Sequence, residues 1–141
     1  MQFTDEFVRQ VEIVAWRDGR YDKKAYLFVY RALDYTLKQL RVHRHITGRE
    51  LLQGISTYGL QQYGPMTKTV FKYWGVTKTE DFGNIVFNLV EAGLMGRTDE
   101  DSIEDFRDVY DFDKEFDWRR RRPSFEQGLN LYPKDLDDDI V

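Results

Sequence analysis

The sequence lacks cysteine, and it has few prolines and histidines. Without cysteine the chain forms no disulfide bond and offers no thiolate to a metal ion, which is typical of a protein of the reducing cytoplasm. Its only histidines, His43 and His45, lie one residue apart and supply no third ligand for a zinc site. We therefore expect a cytoplasmic protein with no metal and no cofactor.

Long apolar runs and catalytic signatures are absent as well. No stretch is long enough to cross a bilayer and no leader pattern opens the chain, so we expect a soluble, unexported protein without membrane contact. Asp81-Phe82-Gly83 spells the magnesium-binding triplet of kinases, but no glycine-rich loop or catalytic loop accompanies it. We predict no catalytic residues, and nothing in the sequence supports an enzyme.

Three closely spaced helix patterns lie between Ile46 and Met95. The first begins with a capping box, in which Thr47 and Glu50 each accept a hydrogen bond from a backbone amide that has no partner in the helix. It ends at Gly64, and a second, short helix begins at the following proline and ends at Gly75. These signals predict a compact unit of three helices.

The third helix of this unit, from about Glu80 to Gly93, is the most apolar in the chain. Thr77 and Glu80 predict another capping box at its start. Apolar residues and glycines fill more than half of its circumference, so we expect neighbours on most sides and one edge exposed to solvent or to a partner. This polar stripe consists of Asp81, Asn84, Asn88 and Glu91.

Two amphipathic helices precede the unit. Thr4 is the predicted N-cap of the first, which ends at Asp18 and Gly19. The second covers about Lys23 to Arg41 and places its apolar residues on one stripe. Three tyrosines are expected at the boundary of that stripe: Tyr26, Tyr30 and Tyr35.

The periodicity weakens after Met95. Ile103 to Phe112 fits either a short helix or an extended return strand, and three helices followed by a hairpin are the order of a winged helix. We expect Phe112 and Phe116 to anchor this segment on the core. The predicted fold class is therefore mainly α, a single domain of about five helices over residues 1–118 whose order of elements allows a winged-helix-like core. We expect a charged tail, 119–141, that is extended or disordered in isolation.

Charge is distributed in blocks. Residues 1–96 carry a net charge of +3, whereas residues 97–118 hold 3 basic and 10 acidic side chains. Four consecutive arginines follow at 119–122, and the last 19 residues are again acidic. Blocks of this kind are typical of solvated or interacting segments.

Several motifs together resemble the "Minf" family of uncharacterised bacterial proteins from planctomycete and verrucomicrobial lineages. The most distinctive is Asp81-Phe-Gly83 followed by Ile85-Val-Phe-Asn-Leu-Val90. Shorter matches are His45-Ile-Thr-Gly48, Gly64-Pro-Met66 and Trp74-Gly75. The similarity covers roughly residues 20 to 116, and it implies a bacterial protein to which no activity can be carried over.

Two binding functions fit these features. The preferred hypothesis is a non-enzymatic protein-interaction module. It would contact another protein through the acidic segment, residues 97–118, through the polar stripe and through the charged tail. Its candidate contact residues are Asp81, Asn84, Asn88, Glu91, Arg119, Arg120, Arg121 and Arg122.

The alternative is a winged-helix-like regulator that binds nucleic acid. Asn84 and Asn88 would then read adenine edges in the major groove, and phosphates would be held by Lys68, Lys72 and Lys78. A further basic patch is formed in the sequence by Arg41, Arg44 and Arg49. Electrostatics disfavours this alternative, because the predicted reading face also carries carboxylates and the sequence pI is about 5.2.

Overall fold

The computed structural model describes residues 2–119, which fold into five α-helices and three short helical segments. The α-helices are α1 (Asp5–Asp18), α2 (Lys23–Leu40), α3 (Gly48–Tyr63), α4 (Thr67–Tyr73) and α5 (Thr79–Glu91). The short segments are two 3-10 turns, Gly64–Met66 and Ile103–Phe106, and the one-turn helix α6 (Phe112–Glu115). The described part of the chain contains no β-strand, so the prediction of a mainly α domain is confirmed.

The predicted caps fix the starts of α1 and α3. The Thr4 hydroxyl accepts a hydrogen bond from the Phe7 amide at 3.1 Å. At α3 the capping box is complete, since Thr47 Oγ1 accepts from the Glu50 amide and Glu50 Oε1 accepts from the Thr47 amide. Local sequence alone therefore determines where these two helices begin.

The capping box predicted from Thr77 and Glu80 is wrong by one residue. Asp81, not Glu80, reaches back and accepts hydrogen bonds from the amides of Thr77 at 2.9 Å and Lys78 at 3.2 Å. The shift places Thr79 in the core, where its hydroxyl donates to the Phe106 carbonyl and accepts from the Val109 amide. Tertiary bonds of this threonine thus decide the register of the helix start.

The core is built around the ring of Phe71 on α4. Phe28 of α2 and Phe82 of α5 each lie with ring centroids 5.2 Å from it, and Phe116 lies at 5.3 Å. Phe112 and Phe116 are only 4% and 5% exposed, which confirms that they anchor the acidic segment on the core. Edge-to-face packing of this kind adds to the free energy gained by burying the rings.

The segment 96–112 crosses α5 without forming a hairpin. It contains the 3-10 turn Ile103–Phe106 and no strand, so a β-wing is not formed in this range. The turn lies directly on Gly83, where a Cβ atom would come within 2.7 Å of Phe106 Cβ. This close approach holds the turn against the middle of α5.

The helices α2 and α3 are in close contact at Gly54. A Cβ atom at this position would lie 1.7 Å from Thr36 Oγ1, and that hydroxyl is held in place by its hydrogen bond to the Ala32 carbonyl at 2.6 Å. The spacing of the two helices therefore depends on the absence of a side chain at residue 54.

Candidate functional site

The polar stripe of α5 faces inward over most of its length. The Asp81 side chain is 8% exposed, and its Oδ1 accepts a hydrogen bond from the Tyr21 hydroxyl at 2.6 Å. The same hydroxyl accepts from Asn84 Nδ2 at 2.9 Å. Burial raises the pKa of Tyr21 to about 12, so the phenol stays protonated and continues to donate to Asp81.

Asn88 makes the second half of this network. Its Nδ2 donates to Asp18 Oδ2 at 2.8 Å and to the Tyr26 hydroxyl at 3.0 Å. Arg20 also binds Asp18, at 2.7 Å, and its guanidinium holds the pKa of that carboxyl well below its ordinary range. Tyr26 is 0% exposed, so its prediction as a boundary residue is wrong. Its hydroxyl is buried because Asn88 supplies the polar partner.

These contacts cover the edge of α5 that was expected to face solvent. Asp81, Asn84 and Asn88 all bind side chains from the end of α1, the α1–α2 connection or the start of α2. Glu91 is the one member of the stripe that is exposed. The stripe therefore serves mainly to position α5, and its amides are not free to read a ligand.

The predicted basic contacts are scattered over the surface. Lys68 forms an ion pair with Asp113, while Lys72 and Lys78 are exposed. Arg119 is exposed and pairs with Asp117 at 3.4 Å, and Arg120, Arg121 and Arg122 lie outside the described residues.

The basic patch at the α2–α3 connection is partly neutralised. Arg44 binds both carboxylate oxygens of Glu50, at 3.1 and 3.0 Å, and lowers the pKa of Glu50 to about 2. Arg41 and Arg49 are exposed. This patch lies beside a concave surface, which Arg44 helps to line.

That surface is an open groove of about 230 Å³ between α2, α3, α5 and the loop that follows α5. Leu51 and Val86 at its base are buried, while other floor residues are half-buried and so still reach solvent. The apolar floor consists of Leu33, Leu37, Leu51, Val86, Val90 and Met95. We call this surface the α2–α5 groove.

Polar groups line the rim of the α2–α5 groove. His45 Nε2 lies 2.6 Å from Asp101 Oδ2, which joins the α2–α3 connection to the loop after α5. The Asp101 carboxylate also accepts from the Thr98 amide at 2.7 Å. Arg97 lies over the Phe87 ring, with its Cζ atom 5.4 Å from the ring centroid. The groove thus combines an apolar floor with a small number of fixed polar groups, as binding sites commonly do.

The α2–α5 groove cannot be predicted from the sequence patterns. Leu33 and Leu37 belong to the apolar stripe of α2, which predicted burial and not a binding surface. The remaining lining comes from segments far apart in the chain, up to Phe106, so only the tertiary fold brings them together. Of the cations noted in the sequence, Arg44 alone lines the groove.

Comparison of the chain with protein-family models, with curated proteins and with solved structures found no match. The resemblance to the "Minf" family therefore stays a prediction. Within residues 2–119 no helix is long and apolar enough to traverse a bilayer, and no three histidine or carboxylate side chains gather as a metal site. The case for function consequently depends on the α2–α5 groove itself.

Proposed function

We propose that the protein is a protein-interaction module, and that it binds an apolar segment of another polypeptide in the α2–α5 groove. The observation that carries this proposal is the apolar floor formed by residues of three helices, several of which, including Leu37 and Val90, are only partly buried. Burying one leucine-sized side chain there would contribute about 2 kcal/mol. Amphipathic helices bind in grooves through a few apolar anchor residues of this kind.

The size of the groove favours a polypeptide over a small molecule. Pockets for drug-sized ligands measure roughly 300–1,000 Å³. At about 230 Å³ the α2–α5 groove is smaller, and it is open on one side. It is better suited to accept individual side chains from a segment that continues beyond it.

The surfaces proposed from the sequence contribute unequally. Three residues of the polar stripe are no longer proposed as contacts, because Asp81, Asn84 and Asn88 are bonded within the domain. Glu91, the exposed member of the stripe, stays in the proposal. The acidic segment remains a proposed contact surface, because its phenylalanines are buried while most of its carboxylates are exposed. The arginines 119–122 stay in the proposal as a further contact.

Nucleic-acid binding has less support. The amides of Asn84 and Asn88 already donate to Tyr21, Tyr26 and Asp18, and α5 is covered on the side that would have to enter a DNA groove. Lys68 is paired with Asp113. No continuous basic face remains on this side of the described domain to follow a phosphate backbone.

Peptide selection tests the proposal. Peptides from a random display library are selected on the full chain, and their affinities are measured for the wild type, Val90→Arg and Met95→Lys. We expect apolar residues at i, i+3 or i+4 in the selected peptides, and about tenfold weaker binding to both variants. Ile13→Arg is the matched control, because Ile13 is 46% exposed on α1, away from the groove.

Two results would count against the proposal. One is selected peptides whose affinity depends on Ile13 but not on Val90 or Met95. The other is the absence of selected peptides together with salt-dependent binding of duplex DNA, which would favour the nucleic-acid alternative. Circular dichroism of each variant shows whether a loss of binding reflects a loss of fold.

A further inference from the structure

We infer that Arg97 makes the α2–α5 groove selective for a segment that carries a carboxylate beside its apolar anchors. This inference rests on the proposed function and names the chemistry of its partner. It concerns one side chain on the rim, whose position and unused hydrogen-bond donors set it apart from its charged neighbours.

The guanidinium of Arg97 is held in place by an aromatic ring. Its Cζ atom lies 5.4 Å from the centroid of the Phe87 ring, and Phe87 in turn packs edge to face against Phe106 at 6.4 Å. This cation–π contact favours a position of the guanidinium over the ring before any ligand arrives. A partner that uses this group would lose little side-chain entropy on binding.

Most donors of Arg97 are unused within the described residues. Nε donates to the Thr98 carbonyl at 3.3 Å, and Nη1 and Nη2 have no acceptor in residues 2–119. Arginine presents its N–H groups as a planar fork that matches the two oxygens of a carboxylate. Arg97 therefore has the geometry to form a two-point contact with an aspartate or glutamate.

The two carboxylates that line the groove together with Arg97 are already bonded. Asp101 binds His45 and the Thr98 amide, and Asp105 accepts a hydrogen bond from the Ser102 amide at 3.1 Å. Neither carboxylate is paired with Arg97. The positive charge of Arg97 is therefore not neutralised by a direct ion pair.

The other arginine on the rim is also bonded. Arg44 is held by both oxygens of Glu50, so a ligand would have to displace an existing two-point ion pair to use it. Such an exchange gains little net energy. Among the rim cations of the described groove, Arg97 is thus the one best placed to select an incoming carboxylate.

A pair of labelled peptides tests this inference on the full chain. Both are helical hosts of about 12 residues with leucine at i, i+3, i+4 and i+7. They differ only in glutamate or glutamine at one flanking position, which is moved along the helix in a short series. Fluorescence anisotropy measures their affinities for the wild type, Arg97→Gln and Arg97→Lys.

We expect the wild type to bind the best glutamate peptide about fivefold more tightly than its glutamine partner, as befits a partly exposed ion pair. Arg97→Gln should remove this preference and leave the affinity for the glutamine peptide unchanged. Arg97→Lys should retain only part of it, because lysine lacks the planar fork. Arg107→Gln is the control and should keep the full preference, since Arg107 pairs with Glu104 and does not line the groove.

The outcomes separate this inference from the proposed function. Equal affinity of the wild type for both peptides, or a preference that survives Arg97→Gln, would overturn the role of Arg97 and leave the groove as an apolar binding site. If neither peptide bound at any position of the series, the inference would fail together with peptide binding in the groove. If Arg107→Gln abolished the preference for the glutamate peptide, the preference would have to be assigned to a charge other than that of Arg97.

Discussion

The two long faces of α5 are built on different principles. The face toward α1 and the start of α2 is joined by directional hydrogen bonds through Asp81, Asn84 and Asn88. The face toward the α2–α5 groove carries Val86, Phe87 and Val90, and part of its apolar surface remains open to solvent. Because hydrogen bonds specify orientation, the first face fixes where α5 lies, whereas the second keeps part of its apolar surface uncovered by the rest of the described chain.

This comparison also explains why an exposed apolar groove is compatible with a single folded structure. Apolar contacts are not directional, so a helix held only by such contacts can shift or rotate with small cost. The hydrogen-bond network around Tyr21 and Asp18 removes that freedom, because it holds α5 at Asp81 near its start and at Asn88 near its end. Substitutions on the two faces should therefore have unequal effects on stability.

The largest effect is expected from Asp81→Ala. This change removes a nearly buried acceptor from Tyr21 and from the amides of Thr77 and Lys78, so we expect the free energy of unfolding to fall by about 3 kcal/mol. Urea denaturation monitored by circular dichroism measures this difference.

Glu80→Ala is the matched control for Asp81→Ala. Its side chain makes a long, 3.4 Å contact with Thr79 Oγ1 and a weak electrostatic interaction with Arg107, so we expect a change of less than about 0.5 kcal/mol. A larger loss for Glu80→Ala than for Asp81→Ala would mean that the capping box begins at Thr77 after all. It would also contradict the role of Asp81 as the main hydrogen-bonded contact on the face of α5 that lies toward α1 and α2.

A smaller effect is expected from Asn88→Ala. The change removes donors to Asp18 and to the buried Tyr26 hydroxyl, but Arg20 continues to bind Asp18. We expect a loss of about 1.5 kcal/mol in the free energy of unfolding. Glu91→Ala, one turn further along and exposed, should change it by less than about 0.5 kcal/mol.

A double-mutant cycle with Tyr26→Phe sharpens the prediction for Asn88. If the two side chains interact as the 3.0 Å distance indicates, their effects should not add, and the coupling energy should be about 1 kcal/mol. Additive effects would show that Asn88 stabilises α5 through Asp18 alone.

The smallest effect concerns acid pH and the groove rim. The Arg44 guanidinium holds the pKa of Glu50 at about 2, below its ordinary 4.5. The ion pair therefore stabilises the folded state fully above pH 4.5, and its contribution is lost as the pH falls toward 2. Glu50→Gln should flatten the rise of stability with pH in this window and reduce stability at neutral pH. Thermal unfolding between pH 2 and 7 measures the slope, and an unchanged slope would contradict the ion pair.

Sequence predicted best those features that depend on near neighbours. The caps at Thr4 and Thr47 connect residues only three positions apart, and both occur as predicted. The anchoring of Phe112 and Phe116 was also predicted, because two large rings in an acidic segment have few alternatives to burial. Helix class and approximate bounds followed from the same short-range patterns.

Sequence failed where the partner lies far along the chain. Tyr21 is separated by 60 residues from Asp81, and Asp18 by 70 residues from Asn88, so the polar stripe gave no sign of whether it faced solvent or a neighbour. The start of α5 was misplaced for the same reason, since the bonds of Thr79 to Phe106 and Val109 are tertiary. The α2–α5 groove is assembled from four segments of the chain, and helical periodicity within one segment does not predict which other segments it contacts.

The contact at Gly54 limits how the groove can evolve. With no room for a methyl group against Thr36, the wall made by α2 and α3 has a fixed width. Under the proposed function, any variation in the size of the side chains that the groove accepts would arise on the opposite wall, at Val90 and in the loop from Met95 to Asp101. A test of that function by redesign should therefore vary this loop first and leave α2 and α3 unchanged.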